Sequence, residues 1–158
     1  MTNDFSALYQ KYAPDVYRFA LYLTGERSEA EDITSETFVR AWTSPEAIRT
    51  ATVKGYLFTI ARNLYRQSWR KKSRNVALNE EMPDPAASPE ARAAAGAELQ
   101  AVLAGLQQLP EEDRAALLMR ANEGLTYEEI SQAMGLSLAS VKVKIHRARL
   151  ALLKMRNV

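Results

Sequence analysis

The chain has 158 residues, 47% of them hydrophobic and 25% charged, with 21 Lys or Arg against 19 Asp or Glu and no cysteine. That length supports one ordinary core or two small domains, and the composition is that of a soluble globular protein. It excludes disulfides and thiolate zinc sites, and no apolar run approaches the roughly 20 residues of a membrane span.

The net charge of +2 conceals a sorting along the chain. Residues 1–53 sum to −3, residues 53–77 hold seven cations and no acid, residues 78–136 sum to −8, and residues 137–158 hold six cations and no acid. Two acid-free blocks between acidic ones are the footprint of a polyanionic partner together with surfaces of opposite sign. A single such block also fits one solvated helix face. The opening "MTNDFSALYQ" has neither the basic nor the apolar region of a signal peptide, so a cytoplasmic location is expected.

Helical periodicity dominates. Phe5, Leu8, Tyr12, Val16, Phe19, Ala20 and Leu23 recur at three- and four-residue steps, which predicts a first helix ending at Gly25, with Pro14 as a kink or restart. Ser28 and Glu31 have capping-box spacing and open a second helix whose apolar stripe is Ile33, Phe38, Ala41 and Trp42. A third helix begins near Val53 and carries "GYLFTIARNLYRQSWRKKSR", aromatic rings interleaved with cations. Leu57, Ile60, Ala61 and Leu64 form its expected buried side, with Tyr56 or Phe58 beside them. Single strands expose base faces, and a ring stacked on one contributes about 1–3 kcal/mol. Tyr65 and Trp69, one helical turn apart among arginines, are the candidates for exposed stacking; the alternative for Trp69 is packing on a neighbouring helix.

Pro83, Pro85 and Pro89 among Ala, Ser and acids mark residues 76–92 as a flexible linker between a domain over 1–75 and another over 93–158. Beyond it, Leu99, Val102, Leu103, Leu106 and Leu109 form one stripe, and Pro110 starts an acid-opened helix that ends at Gly124. Thr126 and Glu129 form a capping box for a short helix to about Met134, Gly135 makes a turn, and Ser137 caps the last helix. A short helix, a glycine turn and a longer basic helix is the arrangement of a helix-turn-helix.

On that last helix Val141, Ile145, Ala148 and Leu152 share one face, while Ala139, Val143, His146 and Arg147 project the other way, flanked by Ser140, Lys142, Lys144 and Arg149. Val143 is either a thymine-methyl contact or an isolated exposed apolar residue. His146, the only histidine, has no partners for a zinc site and suits a phosphate or base contact, or plain exposure. Lys142, Lys144 and Arg147 suit phosphate better than bases.

These stretches resemble bacterial sigma factors of the sigma-70 superfamily, in the small extracytoplasmic-function group. "YAPDVYRFALYLTGERSEAEDITSETFVRAW" is similar to region 2, the basic aromatic helix to its melting and −10 segment, and "LQQLPEEDRAALLMRANEGLTYEEISQAMGLSLASVKVKIHRARLALLKM" to region 4. The resemblance implies an all-α protein of two small helical domains that binds core RNA polymerase and directs promoter recognition, melting and initiation. It implies polymerase clamp contacts at Glu31, Asp32, Ser35, Glu36 and Arg40. It implies −10 single-strand contacts at Lys54, Arg62, Asn63, Tyr65, Arg66, Trp69, Arg70 and Lys71, with the Ser44–Thr52 loop helping Asn63 hold a flipped base. It implies −35 duplex contacts at Ser140, Lys142, Val143, Lys144, His146, Arg147 and Arg149. Ser35 stands where the family usually has glutamine, Gln67 where it usually has aspartate, and "LASVKVK" replaces the commoner opening of the reading helix. No cofactor, metal or catalytic group is expected, and an anti-sigma factor is a possible partner. With no further C-terminal domain in the sequence, control by a separate protein is expected. A regulator that binds only duplex DNA is the alternative, and it leaves the aromatic basic helix without a use. An enzyme finds no P-loop or Gly-rich dinucleotide turn here.

Overall fold

A computed structural model describes residues 2–43, 52–75 and 96–156. Among the described residues there are seven helices and no strand: α1 Thr2–Thr24, α2 Arg27–Thr43, α3 Val53–Asn75, α4 Ala97–Gln107, α5 Glu111–Ala121, α6 Tyr127–Met134 and α7 Leu138–Arg156. The linker expected over 76–92 and the loop expected over 44–52 lie outside these residues, Thr52 excepted.

The first three helices bury part of the stripes that their spacing predicts, with Phe5, Leu8, Tyr12, Ile60 and Leu64 only half-buried. Val16, Phe19, Ala20 and Leu23 of α1 meet Ala30, Ile33 and Phe38 of α2 and Leu57, Phe58 and Ala61 of α3. The Phe19 and Phe58 rings stack with centroids 4.7 Å apart. Thr34 and Thr37 are buried on α2 because their hydroxyls donate back to the carbonyls of Ala30 and Ile33, at 2.7 and 2.6 Å. Helix α1 runs continuously through Pro14, which is exposed. Gly25 ends it with φ +78°, a conformation that suits glycine, and its N–H reaches the Leu21 carbonyl at 2.8 Å.

Two expectations are corrected here. Helix α2 starts at Arg27, so Ser28 lies inside the first turn and its capping box does not form; the Thr24 hydroxyl instead accepts the Glu26 N–H at 3.1 Å. Trp42 is not core but 54% exposed, edge-on to Phe5 with centroids 4.6 Å apart.

In the second half α5 is the central element, buried from Asp113 through Met119. Thr126 and Glu129 form the reciprocal capping box, Gly135 takes the left-handed turn with φ 65°, and the Ser137 hydroxyl accepts the Ser140 N–H at 3.1 Å. Replacing Thr126 with alanine should therefore cost about 1 kcal/mol, read as a fall in Tm of roughly 2–4 °C. The Glu129 carboxyl is held below its ordinary pKa, first by the Thr126 backbone N–H. The folded pKa is the lower one, so this contribution is present above the ordinary carboxylate pKa and is lost as pH falls through the depressed value.

The halves pack against each other. Thr59 on α3 donates to the Ala133 carbonyl at 3.1 Å, and the Gln107 amide donates to the carbonyls of Tyr22 and Leu23 at 3.3 and 3.2 Å. Apart from Leu103, the buried apolar residues of both halves form one continuous cluster.

Candidate nucleic-acid interface

Three charged faces stand out, each on one helix. On α2, Glu31, Asp32, Ser35, Glu36 and Arg40 are all exposed and follow each other at helical steps. Arg40 lies 3.4 Å from Glu36, one turn away. The face is acidic because Ile33, Thr34, Thr37 and Phe38 take the buried positions between these residues.

On α3, Asn63, Arg66, Trp69, Arg70 and Lys71 are exposed, with Trp69 at 58%. The indole does not pack into the core, which leaves its ring face available among cations. The structure turns three other candidates elsewhere. Arg62 is 5% exposed and its guanidinium donates to both Glu111 oxygens at 2.8 Å. Tyr65 is 6% exposed, with its hydroxyl accepting from Arg114 Nη2 at 2.9 Å. Lys54 donates to the Glu123 carbonyl at 2.7 Å. The expectation that Tyr65 is an exposed stacking ring is thus corrected. Arg62 and Tyr65 lie one turn beyond Phe58 and Ala61, in phase with the buried stripe, so the helix rotates them inward with it.

On α7, Val141, Ile145 and Ala148 are buried, which points Lys142, Val143, His146, Arg147 and Arg149 outward. Val143 is 59% exposed between cations. Ser140 is half-buried. Lys142 Nζ lies 5.6 Å from the Tyr127 ring, which Arg120 also flanks at 4.6 Å. Two of the basic candidates already have carboxylate partners. Arg147 donates to both oxygens of buried Asp113 at 2.8 and 2.9 Å, and Lys144 lies 3.4 Å from Glu112. The Asp113 hydrogen bonds raise the Arg147 pKa further, so its charge is permanent and its fork is fixed in direction.

Sequence reasoning missed the residues that hold these faces in place: Arg18, Glu111, Asp113, Arg114 and Glu123. The acids at 111–113 read as dipole compensation for α5, and that reading accounts for their sign but not for their partners. A buried arginine inside "RAALLM" was the one available signal, since arginine is almost never buried without a partner.

The sigma-70 region 2 family model matches residues 8–75, and the sigma-70 region 4 model matches residues 99–152. The chain is 38% identical to the ECF RNA polymerase sigma factor SigE of Mycolicibacterium smegmatis over 90% of its length, spanning 57% of that relative. It is 34% identical to the ECF RNA polymerase sigma factor SigM of Bacillus subtilis, over 90% of this chain and 88% of that one. Among solved structures, the co-crystal structure of the sigma factor RpoE with the anti-sigma factor NepR from Bartonella quintana matches with a TM-score of 0.81. That match is at 25% identity over 98% of both chains. No helix among the described residues is long and apolar enough to cross a membrane.

Proposed function

Because the chain belongs to the extracytoplasmic-function sigma factors of the sigma-70 family, we propose that its three charged faces divide the work of initiation. The protein is a promoter-recognition factor for RNA polymerase. The acidic α2 face, with Glu31, Asp32, Ser35, Glu36 and Arg40, binds the clamp helices of core polymerase. The exposed part of α3, with Asn63, Arg66, Trp69, Arg70 and Lys71, holds the unpaired −10 strand. The outer face of α7 lies in the −35 major groove, where Lys142, Val143, His146 and Arg149 meet the DNA, with Ser140 and Lys144 at its margin and Arg147 set by Asp113.

The observation that carries this reading is Trp69. A large ring exposed among Arg66, Arg70 and Lys71 has little use on duplex DNA and an immediate one on splayed bases. Residues 1–75 and 93–158 act as separate binding modules on either side of the linker. The chemistry of initiation belongs to the polymerase, and the chain itself needs no cofactor. An anti-sigma factor as partner and a cytoplasmic setting, on the nucleoid when active, go with the same reading.

Co-elution with core polymerase tests the α2 assignment. Asp32→Arg reverses an exposed charge and should weaken the association about tenfold or more with no change in the thermal unfolding profile. Wild-type affinity in that variant would remove polymerase binding from this face.

A further inference from the structure

Among the described residues two arginines are buried, Arg62 and Arg114. Arg62 has a carboxylate, because Glu111 takes both prongs of its guanidinium. The half-buried cations of the seam are matched in the same way: Glu123 accepts from Arg18 at 3.0 and 2.8 Å and lies 3.7 Å from Lys54 Nζ. Arg114 differs. Its partners among the described residues are all neutral, the Leu106 and Leu109 carbonyls and the Tyr65 hydroxyl and ring, and its Nε has none. A cation taken out of water without a counter-charge is costly, and hydrogen bonds to carbonyls compensate only part of that cost. The fold therefore keeps, just under its surface, a positive charge that its own acids do not neutralise.

That charge lies at a cleft of about 470 Å³ lined by Tyr65, Arg66, Trp69, Arg70, Glu111 and Arg114. The volume falls in the range of small-molecule sites, roughly 300–1,000 Å³. Three guanidinium groups face one carboxylate there, and that carboxylate is already paired with Arg62. A concave wall of one sign concentrates its field and draws anions. Trp69, 58% exposed at the rim, adds a flat ring on which a base can stack. Glu111 adds an acceptor of a different kind: a carboxylate has about four acceptor sites, so its two bonds to Arg62 leave capacity for N–H donors of a ligand.

We propose that this cleft is a binding site for a purine nucleoside di- or triphosphate. The base stacks on Trp69, the phosphates meet Arg66 and Arg70 in the field of Arg114, and Glu111 favours guanine. Guanine offers a ring N–H and an amine side by side to a carboxylate, whereas adenine offers only the amine. A filled cleft withholds Trp69 from an unpaired strand; that consequence, though not the site itself, rests on the reading of α3 given above.

The chain has two tryptophans, so Trp42→Phe leaves Trp69 as the only indole of the full chain and its emission reports on the cleft. Guanosine diphosphate should quench it saturably below about 1 mM, adenosine diphosphate should bind about tenfold more weakly, and pyrophosphate should not quench. In the same background Arg70→Ala should weaken guanosine diphosphate about tenfold. Arg27→Ala removes an equal charge from an exposed position on α2 and should change the affinity less than about twofold. Both arginines are exposed, so the fold should hold in each variant. No saturable quenching overturns the site. Quenching by pyrophosphate, or an equal loss in Arg27→Ala, reduces the effect to general charge attraction and overturns it as well, and equal affinity for the two nucleotides overturns the role of Glu111. At about ten times its dissociation constant, guanosine diphosphate should weaken binding of a T-rich single-stranded oligonucleotide about tenfold. A strand that binds the filled cleft equally well overturns the competition. A chain that binds the nucleotide but no oligonucleotide contradicts the reading of α3 and upholds the site.

Discussion

Replacing Arg114 with alanine should lower the unfolding free energy by about 3–5 kcal/mol, because it orphans several buried acceptors at once. Arg114 is 4% exposed on α5, and its Nη1 donates to the carbonyls of Leu106 and Leu109 at 3.3 and 3.1 Å while Nη2 donates to the Tyr65 hydroxyl at 2.9 Å. Its Nε makes no hydrogen bond among the described residues. The fork thus ties off the end of α4, the following turn and α3 in one group. Each acceptor left unpaired costs roughly 1–3 kcal/mol, and the expected fall in Tm is about 6–20 °C. Arg114→Lys keeps the charge but loses the planar fork, so it should recover less than half of the loss. Tyr65→Phe removes a single acceptor and should cost only about 1–3 kcal/mol. Denaturant unfolding of the three variants orders them; a loss below about 1 kcal/mol in Arg114→Ala would contradict the structural role.

Trp69→Ala should weaken binding of a single-stranded promoter fragment by roughly 5- to 150-fold, the equivalent of ~1–3 kcal/mol for one stacked base. Binding to a duplex fragment should stay within about twofold of wild type, since duplex DNA keeps its base faces covered. The indole contributes little to the fold because more than half of it is solvated, so the thermal unfolding profile should hold. Tyr65→Ala makes the contrasting case: it destabilises the protein, because Tyr65 serves the seam between the halves. Fluorescence anisotropy on both fragments separates these outcomes. Equal loss on single-stranded and duplex DNA would end the strand-specific role of α3.

The local rules of the chain were legible from its residues, and the long-range pairings were not. Thr126 with Glu129, Gly135 and Ser137 fix the helix-turn-helix through contacts within five residues, which spacing reveals directly. The Arg62–Glu111 and Arg18–Glu123 pairs span 49 and 105 positions, and periodicity tells which face a residue lies on, never what covers that face. Composition makes Arg62 and Tyr65 members of a basic aromatic block, whereas their phase sets them with Phe58 and Ala61. Trp42 differs in the opposite sense: its phase fits the α2 stripe, but among the described residues it meets the edge of Phe5 and stays 54% exposed. Ser28 shows that a capping-box spacing is insufficient when the helix begins at Arg27, two residues before the start that a Ser28 cap would set.

The most direct measurement of the division of labour is chemical probing of promoter DNA bound by polymerase carrying this factor. Permanganate reactivity reports unpaired thymines and nuclease protection reports the −35 duplex on the same molecules. Polymerase with Trp69→Ala and Asn63→Ala should keep −35 protection and lose permanganate reactivity around −10, whereas Val143→Asp with His146→Ala should lose −35 protection first. Strand opening at wild-type level in the α3 variant, or parallel loss of both signals in each variant, would contradict the assignment of melted and intact DNA to different helices.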